Sequence, residues 1–206
     1  METAAIRLER LTKDYGSVRA LTDVDLTVER GQLFGFLGPN GAGKTTTIRV
    51  LLDLIRPTAG RAEVLGFDAQ RDTIEVRRRI GYLPGDPRMY EGMSALDYFG
   101  LVASLRDGRV DMAYRDRLVE ALQLDPTRRI GVLSRGNRQK VGIVQARMSR
   151  PGLLVLDGPT SGLDPLMQEV VEGLLREVVA DGRTVFFSSH DLAEVEQVCH
   201  RVAMLR

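Results

Sequence analysis

The chain opens in alternation. Residues 4–30 place apolar and polar side chains in turn on either side of Tyr15-Gly16, the period-two pattern of half-buried antiparallel strands joined by a turn. The segment 61–67 has the same character and is assigned to the same sheet. Leu33–Leu37 instead has no polar position at all, as suits a strand covered on both faces in a parallel sheet. It passes through a glycine-rich loop into a helix-like stretch, 44–55, that stops before Pro57, because the residue preceding proline is disfavoured in a helix. Two more apolar runs, 153–156 and 184–188, end in polar residues and read as central strands whose carboxyl ends line a site. Between Gly92 and Met148 the apolar spacing turns helical, as at Leu118, Leu122 and Leu124, with breaks at Pro126 and Gly131. A helix over 166–180 is expected to stop at Asp181-Gly182, where glycine can take the left-handed conformation of a helix end. Residues 202–206 read as a strand with no turn after it, so the expectation is that sequence is missing downstream.

Composition narrows the class. A chain of 206 residues, 43% hydrophobic and 28% charged, fits one ordinary folded domain. Its formal net charge is +1 with acids and bases interleaved, so it lacks the basic footprint of a nucleic-acid binder and none is expected as a partner. Cys199 is the single cysteine, which excludes an internal disulfide and suits a reducing compartment. No run approaches the roughly 18 apolar residues of a spanning helix. If a membrane is involved, another chain must cross it.

The chemistry concentrates in the glycine-rich loop. Gly38, Pro39, Asn40, Gly41, Ala42, Gly43, Lys44 and Thr45, followed by Thr46, fit the pattern GxxxxGK[ST] between a strand and a helix. Glycines there let successive backbone N–H groups close around phosphate oxygens, and the helix N-terminus adds a favourable dipole. Lys44 is placed to reach the terminal phosphates and Thr45 to ligate magnesium. Asp157, closing the apolar run 153–156, is the matching candidate to hold Mg²⁺ directly or through water. These two motifs alone suit many nucleotide hydrolases. The expectation is an α/β fold with a P-loop on a parallel sheet, carrying an N-terminal antiparallel β subdomain and an inserted helical subdomain.

Four further segments narrow the reading. Leu133-Ser-Arg-Gly-Asn-Arg-Gln-Lys140 resembles the signature motif of ATP-binding cassette (ABC) transporter subunits, and Ser161-Gly-Leu-Asp-Pro165 resembles their D-loop. His190, after Phe186-Phe-Ser-Ser189, is similar to the switch histidine, and Tyr15 lies where the family stacks an aromatic on adenine. The resemblance spans essentially the whole chain in the family's motif order. It implies a single nucleotide-binding domain, with 1–85 and 149–206 forming the β and RecA-like parts and 86–148 the helical signature subdomain. It further implies ATP and Mg²⁺ as ligands, and a head-to-tail dimer, homomeric or heteromeric, in which Ser134 and Gly136 face the other subunit's terminal phosphate. The implied partner is a transmembrane permease, and the implied place is the inner face of the cell membrane.

The sequence also departs from the family. Gly158 stands where a glutamate normally follows the magnesium aspartate as general base, and glycine has no group to accept a proton. Asp164 and Asp86 are the next candidates for that role. Gly85 occupies the usual place of a glutamine that contacts the metal, with Asp86 beside it as a possible substitute. Arg135 and Asn137 replace two positions of the commonest signature form. The wording around 134–140 and 160–167 is similar to bacterial drug or antibiotic exporters. Two readings follow: an export motor with hydrolysis impaired by Gly158, and a non-hydrolysing, ATP-dependent dimerisation or regulatory cassette. Soluble cassettes of DNA repair or translation bring long coiled coils or fused cassettes, which this sequence lacks.

Overall fold

The computed structural model describes residues 4–106 and 110–206. Two β-strands, β1 (Ile6–Tyr15) and β2 (Val18–Val28), form an antiparallel ribbon. Tyr15 pairs with Val18 around Gly16, whose φ is +59°, and glycine at the first turn position is what a tight two-residue hairpin requires. Next come β3 (Leu33–Leu37), α1 (Lys44–Leu51), β4 (Ala59–Val64), β5 (Phe67–Asp68), α2 (Thr73–Arg79) and β6 (Ile80–Leu83). Helices α3 (Ala95–Ser104), α4 (Met112–Ala121) and α5 (Arg135–Arg147) follow, then β7 (Leu153–Asp157), α6 (Pro165–Ala180), β8 (Thr184–Ser189), α7 (Leu192–Val198) and β9 (Arg201–Met204).

The strands form two sheets, one antiparallel in the order β2-β1-β4-β5 and one parallel in the order β6-β7-β8-β3-β9. The expected membership of 61–67 holds in part: β4 pairs with β1, while Leu65-Gly66 turn back with positive φ and hand the chain to the short β5. The stretch expected to be helical over 44–55 stops earlier, because Asp53 takes a left-handed φ of +48° and closes the helix ahead of Pro57. The strand expected over 202–206 forms at the edge of the parallel sheet as β9, paired with β3, but runs Arg201–Met204.

The central strands explain their unbroken apolar runs. Phe34 and Phe36 of β3, Leu153 and Val155 of β7, and Phe186 of β8 face one core, shared with the antiparallel sheet and α1. Their neighbours Leu33, Leu37, Leu154, Leu156, Val185 and Phe187 face the other core, shared with α5, α6 and the helical segment. With both faces covered, neither set can be polar.

The helical segment is joined to the sheet through α5. A Cβ on Gly81 in β6 would lie 1.9 Å from the Ala146 carbonyl oxygen and 2.8 Å from Pro151 Cγ, so α5 and β6 touch backbone to backbone. Gly81→Ala is therefore expected to destabilise by about 1–3 kcal/mol through overpacking, measured as a lower thermal midpoint. An unchanged midpoint would mean the contact yields without cost.

Candidate functional site

The register of the parallel sheet assembles the site. Leu37 lies beside Ser189, and Asp157 beside Ser188, so the carboxyl ends of β3, β7 and β8 open onto one cleft where the strand order reverses. Asn40, Gly41, Gly43, Lys44, Thr45 and Thr46 line it from the loop and α1, and Asp157, Gly158, Ser188, Ser189 and His190 from the strand ends.

The loop is held open by its glycines and by the antiparallel sheet. Gly43 has a φ of +103°, and a Cβ there would meet the Ala20 carbonyl and Leu21 at 2.6 Å each. β2 thus buttresses the loop, and only glycine fits the contact. No side chain caps the N-terminus of α1, which leaves its first-turn N–H groups for an anion. Lys44 Nζ donates to the Gly38 carbonyl and, at 3.0 Å, to the Pro39 carbonyl, so the ammonium bridges the loop. Burial holds its pKa below the ordinary lysine value, with the Asp157 charge opposing that shift. Ala42 closes the loop from its own backbone, its N–H donating to the Pro39 carbonyl at 3.2 Å.

Asp157 is the electrostatic centre. It accepts from Thr45 Oγ1 at 2.8 Å and from Ser188 Oγ at 2.5 Å. A hydroxyl and a carboxylate converging in this way form a hard oxygen pair suited to Mg²⁺, which takes one or two protein oxygens and completes its shell with water and phosphate. Thr45 and Asp157 are the residues that would hold it, and the ion would supply charge neutralisation along the phosphates.

Gly158 follows with a φ of +59°. Its N–H donates to the Ser188 carbonyl at 3.0 Å, and its carbonyl accepts from Ser161 N at 3.1 Å and from Gln139 Nε2 at 3.0 Å. A Cβ here would have Ser161 Cβ at 4.0 Å as its nearest neighbour. The position therefore has room for a side chain, but in a backbone conformation that L residues adopt at a cost of roughly 1–2 kcal/mol. Across the cleft, a Cβ on Gly85 would lie 3.5 Å from Asp157 Oδ2, so a longer side chain at that place could reach the Asp157 carboxylate. Asp86 points away, its side chain 88% exposed and 3.8 Å from Arg88.

The remaining sequence candidates lie outside the cleft lining. Tyr15 sits at the hairpin tip, 45% exposed with Lys13 Nζ 5.2 Å from its ring centre, so its ring is not used for core packing. Ser134 caps α5 by accepting from Asn137 N at 3.2 Å. Gly136 packs on the turn after β7, where a Cβ would lie 2.7 Å from the Gly162 carbonyl, and Arg135 donates to Ser161 Oγ at 2.8 Å. Asp164 caps α6, its carboxylate accepting from Met167 N at 3.0 Å.

Two residues to which the sequence assigned no role take part. Gln139, almost fully buried, bonds the carbonyls of Gly158 and Pro159 at 3.0 Å each and ties the signature helix to the turn after Asp157. Glu194 accepts from the hydroxyls of both Ser189 and Thr160, bracing the segment that carries His190. Their only sequence signals are position: Gln139 lies within the signature stretch, and Glu194 one helical turn past His190.

A parallel sheet with a P-loop at its switch point, a strand-end aspartate paired to the loop threonine, and a helix inserted from a signature segment define a nucleotide-binding cassette. Residues 21–161 match the family model described as ABC transporter. The chain belongs to the ABC transporter family. It is 37% identical over 202 residues to the bacitracin transport ATP-binding protein BcrA of Bacillus licheniformis, covering 97% of this chain and 66% of that one. It is 39% identical over 210 residues to the daunorubicin resistance ATP-binding protein DrrA3 of Streptomyces coeruleorubidus, covering 100% and 66%. The chain thus spans somewhat less than two thirds of the length of these relatives. A solved structure of an ATP-binding subunit of an ABC transporter superposes with a TM-score of 0.90 at 30% identity, covering 99% of this chain and 86% of that one. The dimeric post-hydrolysis state of the cassette MJ0796, bound to ADP and Pi, shares the fold at a TM-score of 0.87 and 24% identity, with 98% and 94% covered. Among the described residues, no helix is long and apolar enough to cross a membrane.

Proposed function

We propose that the chain binds MgATP in this cleft, closes head-to-tail on a second cassette, and drives export through a separate membrane permease at the inner face of the membrane. The observation that carries this is the convergence of Lys44, Thr45 and Asp157 on one cleft, with Ser188 setting the carboxylate. In this reading Lys44 and the loop N–H groups hold the phosphates, Tyr15 stacks on the base, and Ser134 and Gly136 complete the partner's site. A ligand contacted by both subunits favours the closed dimer by its differential affinity, and its loss reopens it. The names of the relatives point to antibiotic export as the class of transport.

Gly158 favours a second reading beside this one. With no side chain at position 158, directly after Asp157, the cleft has binding groups but no carboxylate at the usual position. A cassette of this kind can act as an ATP-dependent dimerisation module, or beside a competent partner cassette.

Calorimetry with ATP tests the shared core of both. Asp157→Asn should weaken binding in Mg²⁺ by the worth of a charged contact, about 1.5–3 kcal/mol, and leave metal-free binding nearly unchanged. Equal loss with and without Mg²⁺ would make Asp157 a structural partner of Thr45 and Ser188 only. GTP binding far tighter than ATP binding would contradict the assignment of the nucleotide.

A further inference from the structure

A second concentration of positive charge lies at the other end of the parallel sheet, where β6 and β7 begin. Arg77, Arg78 and Arg79 of α2, Arg106 after α3 and Arg150 before β7 line a single pocket there. Three separate parts of the chain contribute, so this is not simply the solvated face of one basic helix.

Among the described residues, the carboxylates nearby do not balance these charges. Arg78 at 3.5 Å and Arg79 share the single carboxylate of Glu75, and Arg150 lies 3.8 Å from Asp111. Arg77 is held by the carbonyls of Leu52 and Asp53, each at 2.9 Å, and Arg106 by the Ile80 carbonyl at 2.9 Å. The Asp53 carboxylate is itself taken by Thr73 at 2.6 Å and Arg56 at 3.6 Å. Carbonyls orient a guanidinium without neutralising it. Among the described residues, five cations thus face two carboxylates, and burial already holds the Arg106 pKa below its ordinary value. Ser149 adds a hydroxyl to the same pocket whose oxygen is buried and has no hydrogen-bond partner among the described residues.

The chemistry of the lining selects a ligand. All five cations are arginines, whose planar forks match phosphate oxygens in pairs. Two aliphatic side chains of the same lining stand in solvent, Ile74 at 67% and Leu105 at 76% exposure. Basic groups beside exposed aliphatic ones are the combination that seats a protein on an anionic membrane surface. We propose that this pocket binds the phosphate of an anionic phospholipid headgroup, with Ile74 and Leu105 entering the interfacial layer. The pocket then acts as a lipid contact of the cassette itself, separate from its nucleotide cleft and from any permease.

The test uses the full chain carrying Lys44→Ala, which removes phosphate binding at the nucleotide cleft and leaves the arginine pocket intact. Co-sedimentation compares vesicles of phosphatidylcholine alone with vesicles that also contain phosphatidylglycerol. The expected result is binding to the mixed vesicles only, weakened by salt, and reduced about fivefold for each arginine removed. Arg78→Ala is the variant of choice, because its side chain is 61% exposed and its ion pair to Glu75 is long, with Arg150→Ala, 45% exposed and stacked on the Tyr114 ring at 4.2 Å, as the second. Ile74→Ser should also weaken vesicle binding, which a purely ionic contact would not show. Equal sedimentation with both vesicle types overturns the proposal. So does binding of inorganic phosphate or an acidic peptide to the pocket in calorimetry without preference for anionic vesicles, since the occupant would then be a soluble anion or a protein segment.

Discussion

Gly158→Glu is expected to raise steady-state ATPase activity by two to four decades. A positioned general base contributes about 10²–10⁴-fold, and the binding groups around the position are already in place. The geometry adds a cost that the sequence does not show. Position 158 has a φ of +59°, so the substitution should destabilise the fold by about 1–2 kcal/mol while activity rises. The side chain has room, with no atom closer than 4.0 Å to the new Cβ. His190→Ala in the restored protein should then lower activity again, since His190 lines the same cleft. If the unmodified chain already hydrolyses ATP as fast as Gly158→Glu, another carboxylate serves. Asp164 is engaged as the cap of α6 and Asp86 is turned to solvent. Glu194, one hydroxyl from the cleft through Ser189, would then be the first residue to replace.

Lys44→Ala should all but abolish ATP binding. An ammonium reaching two phosphates makes two charged contacts of about 1.5–3 kcal/mol each, so affinity should fall by more than roughly a hundredfold. The lost carbonyl bonds to Gly38 and Pro39 could loosen the loop as well. Thermal unfolding without nucleotide separates the two effects: a midpoint close to that of the unmodified chain, together with lost binding, assigns the loss to the phosphate contacts. ATP affinity retained in Lys44→Ala would mean that nucleotide binds elsewhere.

The parts of the fold that were legible are those written in local chemistry. Leu33–Leu37 had to be covered on both faces because no position in it is polar, and the glycine loop between strand and helix, with Lys44-Thr45 behind it, was legible from the motif. The end of α1 was not legible, since its stop at Asp53 comes from a single left-handed residue whose carboxylate is held by Thr73 and Arg56. The helical spacing assigned from Gly92 onward begins as a regular helix only at Ala95, where Ser94 caps the chain by accepting from Asp97 N at 3.1 Å. Gln139 and Glu194 acquire their roles only when α5 and α7 reach the strand ends, through contacts that no spacing rule contains. Gly158 divides cleanly: the missing carboxylate is read from the sequence, whereas the left-handed backbone that would receive one is read only from the fold. Ser134 and Asp164 illustrate the converse, because within one chain both are helix caps, and the role in trans proposed for Ser134 needs a second copy.

In the proposed function, ATP holds two cassettes together while the chemistry that would release them is impaired. With hydrolysis slowed by about 10²–10⁴-fold, the ATP-closed state should accumulate relative to the nucleotide-free and ADP states. Light scattering coupled to size-exclusion chromatography measures this directly on the unmodified chain in MgATP, MgADP and no nucleotide. A dimer is expected in MgATP alone, one that Lys44→Ala does not form and that Gly158→Glu makes short-lived. A monomer under all three conditions, with MgATP shown to be bound, would contradict it.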